Sequence, residues 1–258
     1  IFGMTLSIMY QKILIIILCL FVFECSKKDP EISKPSEREK ALAIYAEGVK
    51  ALNERDFFFA AKKFSEAELI LPTVEASAKA SLLTSYCYYT INFYDEALEN
   101  LERYISKYRA DENIPYAHYL ITLSYYEQIL DEKKDIDPLV ITKEKIELFL
   151  KNFPDTEYAL DLKFKMDLVN NQFAAKELYI AKYYIKNQKW TPAINRLRVI
   201  VDKYETTIFV EEALHRLVEI YYKLGLEDEA KAAAAILGYN YNSSEWYKQS
   251  YKVINKKY

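Results

Sequence analysis

A short helical signature, Ala-x-x-x-Phe/Leu, returns along this chain at a fixed interval. Ala60, Phe64 and Ala67 form one copy, and Ala97, Leu101 and Tyr104 form the next, 37 residues on. Ala193, Leu197 and Ile200 are followed, after another 37-residue step, by Ala230, Ala234 and Leu237. A small residue where two helices cross, repeated with that period, marks a tetratricopeptide-type solenoid, whose helical hairpins each pack only on their neighbours. The fold class read from the sequence is therefore all-α: a tetratricopeptide-repeat-like helical-hairpin solenoid of about five repeats plus a C-terminal capping helix.

The first residues follow a different rule. Residues 13–23 are an uncharged apolar run preceded by Lys12, the layout of a signal-peptide core and too short to span a bilayer, which takes about 20 residues. Ile1, Phe2 and Gly3 precede any methionine, so the expected start is Met4 or Met9. Cys25 follows directly after the run. This resembles a bacterial lipoprotein signal, in which the cysteine becomes the acylated N-terminus, although Glu24 stands where a small residue is usual. Residues 1–25 are expected to be the signal ending at lipidated Cys25, and Ser26 after it favours the outer membrane by the same resemblance. Residues 26–37 are polar, carry Pro30 and Pro35, and read as a flexible tether. Cys19 lies in the signal and Cys25 at the junction, so Cys87 is the one other thiol. It reads as a core residue of an apolar helix rather than a nucleophile.

From about residue 38 the apolar period becomes helical, with Ala41, Ile44, Tyr45, Gly48 and Leu52 on one stripe. Residues 38–154 are expected to form N-terminal repeats 1–3, and residues 155–258 repeats 4–5 and the cap. The spacing predicts helices over 38–52 and 57–71, with Pro72 as the stop, then 78–90 and 95–108 with a turn at Asn92. The third hairpin is predicted over 115–130 and 139–153, interrupted by a long charged connection at 131–138. Residues 157–186 hold neither Pro nor Gly and read as one long helix or two abutting ones. Thr191 followed by Pro192 predicts an N-cap and first helical residue. Helices over 210–224 and 227–237 are predicted to meet at Gly225, with Gly238 as the stop, and 244–254 is the cap.

Function classes can be excluded from the same residues. A net charge of −3 and the absence of a clustered basic face argue against nucleic-acid binding. His118 and His215 lie in different hairpins, with no metal-ligand spacing around either. Four glycines in the whole chain build no phosphate loop. No catalytic residue, metal site or cofactor is assigned, and the chain reads as a non-enzymatic binding platform. In such a solenoid the first helix of each pair lines the inner face. Taking Gly48 as the repeat glycine puts Tyr45 and Val49 there, and the corresponding places in the second repeat are read as Tyr86 and Tyr89. These four residues are a candidate groove for an extended peptide; packing between repeats is the other reading of the same tyrosines.

With an exported, lipidated hairpin solenoid in view, the chain resembles the BamD family, lipoproteins of the bacterial outer-membrane β-barrel assembly (BAM) machinery. The resemblance covers the whole mature length. It is carried by IYAEGVKALNERDFFFAAKKF, ELFLKNFPDTEYALDLKFKMDLV, AKYYIKNQKWTPAINRLRVIVDKY, EEALHRLVEIYYKLGLEDEA and the tail LGYNYNSSEWYKQSY. It implies a scaffold at the outer membrane, lipid-anchored and facing the periplasm, that binds the POTRA domains of a BamA-like Omp85 barrel protein and aids insertion of β-barrel proteins. The other implied partners are accessory BAM lipoproteins, unfolded outer-membrane protein substrates and the membrane itself. The family's arginine for the barrel-subunit contact matches Arg196, beside Asn195; an internal pair of Arg196 with Glu177 or Asp202 is the alternative. A tetratricopeptide pilotin-type lipoprotein guiding secretin or pilus assembly is the second functional reading.

Overall fold

The computed structural model describes residues 36–129 and 136–255; the expected signal, Cys25 and nearly all of the tether lie outside them. The chain parts into two compact units, residues 1–40 and 41–258. In the first, the described part is a capped helix start. Ser36 N–H donates to the Glu39 carboxylate at 2.7 Å, and Glu39 N–H donates back to the Ser36 hydroxyl at 3.2 Å. This reciprocal capping box satisfies two donors that a helix N-terminus leaves open.

The described residues hold eleven helices and no strand. They are α1 (Glu37–Asn53), α2 (Phe57–Glu68), α3 (Val74–Thr90), α4 (Tyr94–Lys107), α5 (Ile114–Tyr126) and α6 (Asp137–Asn152). Then come α7 (Glu157–Lys186), α8 (Trp190–Lys203), α9 (Val210–Lys223), α10 (Glu227–Asn240) and α11 (Glu245–Ile254). None of them is long and apolar enough to cross a membrane. Helices α3–α10 pair into four hairpins and α11 lies on α9 and α10 at the end, while α1 and α2 form the first hairpin through Tyr45 and Gly48 against Phe64 and through Lys63 to Glu47. The core is correspondingly serial: Ala60, Phe64 and Cys87 in one cluster, Leu101, Tyr104 and Leu120 in the next, then Ile146 and Leu162, then Leu197, Leu214 and Leu237.

Four of the five hairpins turn in the same way. Arg55, Asn92, Gln188 and Gly225 all have positive φ, between 56° and 77°. In each case the following N–H reaches five residues back: Asp56 to Ala51, Phe93 to Tyr88, Lys189 to Tyr184 and Leu226 to Tyr221, all at 2.9 Å. The positive-φ residue itself donates three residues back, the second bond of a Schellman closure. Arg55 to Asn92 and Gln188 to Gly225 are again steps of 37 residues. The connection from one hairpin to the next also repeats. Tyr108, Phe153, Tyr204 and Tyr241 each close a second helix, and each carbonyl accepts the N–H three residues on.

Several boundaries differ from the sequence reading. Residues 157–186 are one helix, α7, the first of the two arrangements left open by the sequence. Helix α2 ends at Glu68, where Ile70 and Leu71 N–H both fold back on the Ala67 carbonyl, so Pro72 is not the stop. Thr191 is not the N-cap: the Schellman closure at Gln188 delivers the chain straight into α8 at Trp190. Pro192 is then the third helical residue, where a missing N–H costs nothing because first-turn donors have no helical partner. Gly238 does not end α10 either, since the helix runs on to Asn240. A Cβ there would stand 2.9 Å from the Tyr247 ring. The glycine is needed so that α11 can approach.

Candidate functional site

The first candidate surface lies on the first helices of the hairpins. Leu82, Leu83 and Tyr86 of α3, Tyr116 of α5 and Tyr158 of α7 wall a groove of about 900 Å³, with Glu75, Lys79, Asp111 and Glu112 at its polar margin. Tyr116 lies 5.5 Å from Tyr158, and Tyr158 stacks on Tyr119 at 4.8 Å. The Tyr119 hydroxyl donates to Asp161 at 2.8 Å, tying α5 to α7. Burial pushes the Tyr116 hydroxyl up to about 12, so it stays a neutral donor at any physiological pH. The arrangement offers flat aromatic faces and hydroxyls to an extended chain.

Of the four residues expected in such a groove, the structure brings Tyr86 there. Tyr45 is half-buried with its ring 5.3 Å from Phe64, and Val49 packs in the same first-hairpin cluster. Tyr89 sits 6.0 Å from Tyr94, and burial raises its hydroxyl to about 12. Register accounts for Tyr89, whereas Tyr45 and Val49 hold the groove positions of the first hairpin, one repeat away from the groove. A 37-residue step equates Tyr45 with Leu82 and Val49 with Tyr86, while Tyr89 corresponds to Leu52. Leu82, Tyr116 and Tyr158 were missed; the period carried into the second repeat would have found Leu82.

The second surface involves the fourth hairpin. Arg196 of α8 donates through Nη1 to both oxygens of Glu177 on α7, at 3.2 and 3.1 Å. Its Nε and Nη2 make no hydrogen bond among the described residues, and 43% of the side chain is exposed. Asn195 beside it is exposed. Asp202, the other internal partner considered, instead faces Arg198 at 4.0 Å. The guanidinium is thus held from one side, with its second fork edge open to a carboxylate from outside. Lys182 of α7 and Arg216 of α9 both grip Glu212, at 2.9 and 3.2 Å, and stiffen the neighbouring joint.

The two histidines have structural surroundings. His215 is buried, with Nδ1 2.8 Å from the Ser250 hydroxyl and its ring 5.2 Å from Trp246. It fastens α11 to α9. Hydrogen bonding from His215, offset by burial and aided by Arg216, holds the Glu219 carboxyl at about 2. His118 packs 5.3 Å from Phe153, and burial, then Lys145, lowers its pKa. Cys87 is fully buried, and burial raises its thiol to about 12, which leaves no thiolate for chemistry. Among the described residues no group of three His, Cys, Asp or Glu side chains is placed to hold a metal ion.

Comparison with known proteins adds a second line. Residues 37–236 match the family model YfiO, described as an outer membrane lipoprotein. The chain is 36% identical over 251 residues to the outer membrane protein assembly factor BamD of Rickettsia prowazekii, covering 97% of this chain and 98% of that protein. It is 35% identical over 231 residues to the BamD of Caulobacter vibrioides, covering 90% and 76%. Among solved structures it is similar to the TPR2AB-domain:pHSP90 complex of yeast Sti1, at TM-score 0.45 and 16% identity over 83% of this chain and 81% of that one.

Proposed function

The chain belongs to the YfiO/BamD family of outer-membrane lipoproteins, and from that premise we propose how it does the family's work. It is a subunit of the BAM machinery that assembles outer-membrane proteins. Its part is that of a non-enzymatic scaffold: the C-terminal hairpins dock the POTRA domains of the barrel subunit, and the tyrosine-walled groove receives unfolded β-barrel chains. Cys25 carries the lipid that holds the protein on the periplasmic side of the outer membrane.

The observation that carries the docking assignment is the open edge of Arg196. Glu177 occupies Nη1 alone, so Nε and Nη2 can take a partner carboxylate in bidentate geometry, which adds orientation as well as strength. For the groove, the support is the convergence of Tyr86, Tyr116 and Tyr158 from three successive hairpins. Nothing in the structure or the relatives favours a pilotin role.

Binding of the purified full chain to the periplasmic portion of the barrel subunit tests the docking assignment. Arg196→Glu is expected to weaken binding at least tenfold with unchanged helical circular dichroism; loss of helix content would make Arg196 structural instead. Cys25→Ser is expected to move the protein from the membrane to the soluble periplasmic fraction. Retention on membranes in cells lacking the other subunits would contradict the anchor.

A further inference from the structure

The joint between the first and second hairpins is closed by a polar cluster that the next joint does not repeat. Tyr108 and Phe153 end α4 and α6 in the same way, and that 45-residue step equates Arg103, Lys107 and Tyr108 with Leu148, Asn152 and Phe153. Between α2 and α4 the first three close on the buried Glu68 carboxylate. Between α4 and α6 the place of Glu68, 37 residues on, is held by Ile105. A cavity of about 520 Å³ stands there instead, with Ile105, Ile114, Ile121, Leu148, Phe149 and Phe153 as its apolar wall. The polar groups lining it are mostly donors without a partner. Arg109 uses only Nε, which donates to the Ser106 carbonyl at 3.2 Å, so both Nη atoms are free among the described residues. Neither the Asn152 amide nor the His118 ring nitrogens make a hydrogen bond there; the His118 ring packs 5.3 Å from Phe153. Lys145 forms no ion pair among the described residues and stands 5.5 Å over the Tyr125 ring. Glu102 is the one carboxylate in the lining. Glu102 and Lys145 each lie seven residues before Arg109 and Asn152, about 10 Å back along the helices. The acid and the lysine therefore share one end of the cavity, and Arg109 faces no acid at the other.

We infer that this cavity binds a single-chain anionic amphiphile, a fatty carboxylate, with its tail along the apolar wall and its head at Arg109 and Asn152. Neither partner docking nor the tyrosine groove enters this assignment. The volume falls within the roughly 300–1,000 Å³ of small-molecule sites, which selects a small ligand over a protein surface. The length of about 10 Å between two helices suits a chain. Charge selects the head. A guanidinium with both Nη atoms open pairs with a carboxylate in fixed geometry, and the Asn152 amide stands beside it as a further donor. A cationic head would meet Arg109 and Lys145 against Glu102 alone. Burial, then Lys145, lowers the pKa of His118, so the imidazole offers an N–H while adding no charge of its own. Helix α5 keeps the site apart from the tyrosine groove: Ile114 and His118 line the cavity, and Tyr116 lines the groove.

The test is titration of the full chain with sodium decanoate, followed by the imidazole NMR signals of its two histidines. Acetate supplies the head alone, and decyltrimethylammonium the same tail with the opposite charge. Decanoate is expected to saturate with a Kd below about 1 mM, moving the His118 signals and leaving those of buried His215 in place. The bound carboxylate should also raise the pKa of His118, because a nearby negative charge favours the imidazolium. Arg109→Glu and Leu148→Glu, both at exposed positions, should each weaken decanoate binding at least tenfold. Lys79→Glu, on the margin of the tyrosine groove, should leave it unchanged. Circular dichroism and melting confirm that each variant is folded. Equal binding of decyltrimethylammonium or of acetate would overturn the inference, as would decanoate binding indifferent to Arg109→Glu. So would a titration that moves both histidines together, or one that moves neither.

Discussion

Arg103 of α4 grips Glu68 of α2 through both carboxylate oxygens, at 2.7 and 2.8 Å. Lys107 and the Tyr108 hydroxyl add donors at 3.0 and 2.8 Å, and the Glu68 side chain is 1% exposed. Burial alone would raise its pKa; hydrogen bonds from Arg103, Lys107 and Tyr108 overcome that and hold the carboxyl at about 2. A carboxylate depressed from an unfolded value of about 4.3 contributes roughly 3 kcal/mol at neutral pH. The contribution is fully present above pH 5 and is lost as pH falls through about 2. Glu68→Gln is expected to lower urea stability at pH 7 by about 2–3 kcal/mol, and the gap from the parent should shrink steadily between pH 5 and pH 2. An unchanged gap at pH 2 would mean that the carboxylate charge is not the source.

The hairpin turns offer a stabilising substitution. Arg55 and Gln188 hold φ near 60°, which strains a residue with a Cβ; glycine does not pay that cost. Arg55→Gly and Gln188→Gly should each raise stability by about 0.5–1 kcal/mol. Gly225→Ala should lower it by about 1 kcal/mol, although open space surrounds the added methyl. Thermal melts of the three variants decide this, and a destabilised Gln188→Gly would refute the reading of the turn.

Gly48 and Phe64 set how closely the first hairpin closes. A Cβ at Gly48 would fall 2.9 Å from two ring atoms of Phe64. Gly48→Ala is expected to cost about 1–3 kcal/mol through overpacking, and pairing it with Phe64→Leu should return part of that loss. Denaturant unfolding of the single and double variants measures the coupling.

For Arg196 the structural and docking roles separate in a charge swap. Arg196→Glu combined with Glu177→Arg restores an ion pair between α7 and α8 but inverts the group on the α8 surface. Stability should recover to within about 0.5 kcal/mol, the worth of a partly exposed pair, while binding to the barrel subunit stays weak. Recovery of binding along with stability would assign Arg196 to the fold alone.

The 37-residue period made the hairpins legible because each repeat reuses the same small and large core positions, as Ala60/Phe64 and Ala193/Leu197 show. The helix ends were harder. Thr191 and Gly238 have the residue types that usually bound helices, but the turn at Gln188 and the ring of Tyr247 decide what happens there. The Arg196–Glu177 pair was readable as an alternative, since hairpin partners in α7 and α8 face each other. Glu68 was not. Its donors lie 35 to 40 residues away on the next hairpin, and a Glu among lysines on a helix resembles any solvated surface acid. In the groove, a 37-residue step from Leu82 and Tyr86 lands on Tyr119 and Leu123 rather than on Tyr116, and Tyr158 lies beyond the charged connection before α6, so a fixed step reaches neither.

The central claim is that this chain is a stoichiometric scaffold of the barrel-assembly machinery. Affinity purification of the tagged full chain from detergent-solubilised envelopes, with quantitative mass spectrometry, tests it most directly. The account predicts a POTRA-bearing barrel protein at near-equimolar level, reduced at least tenfold by Arg196→Glu. Recovery of a secretin or pilus component in its place, with no POTRA-bearing protein, would contradict it.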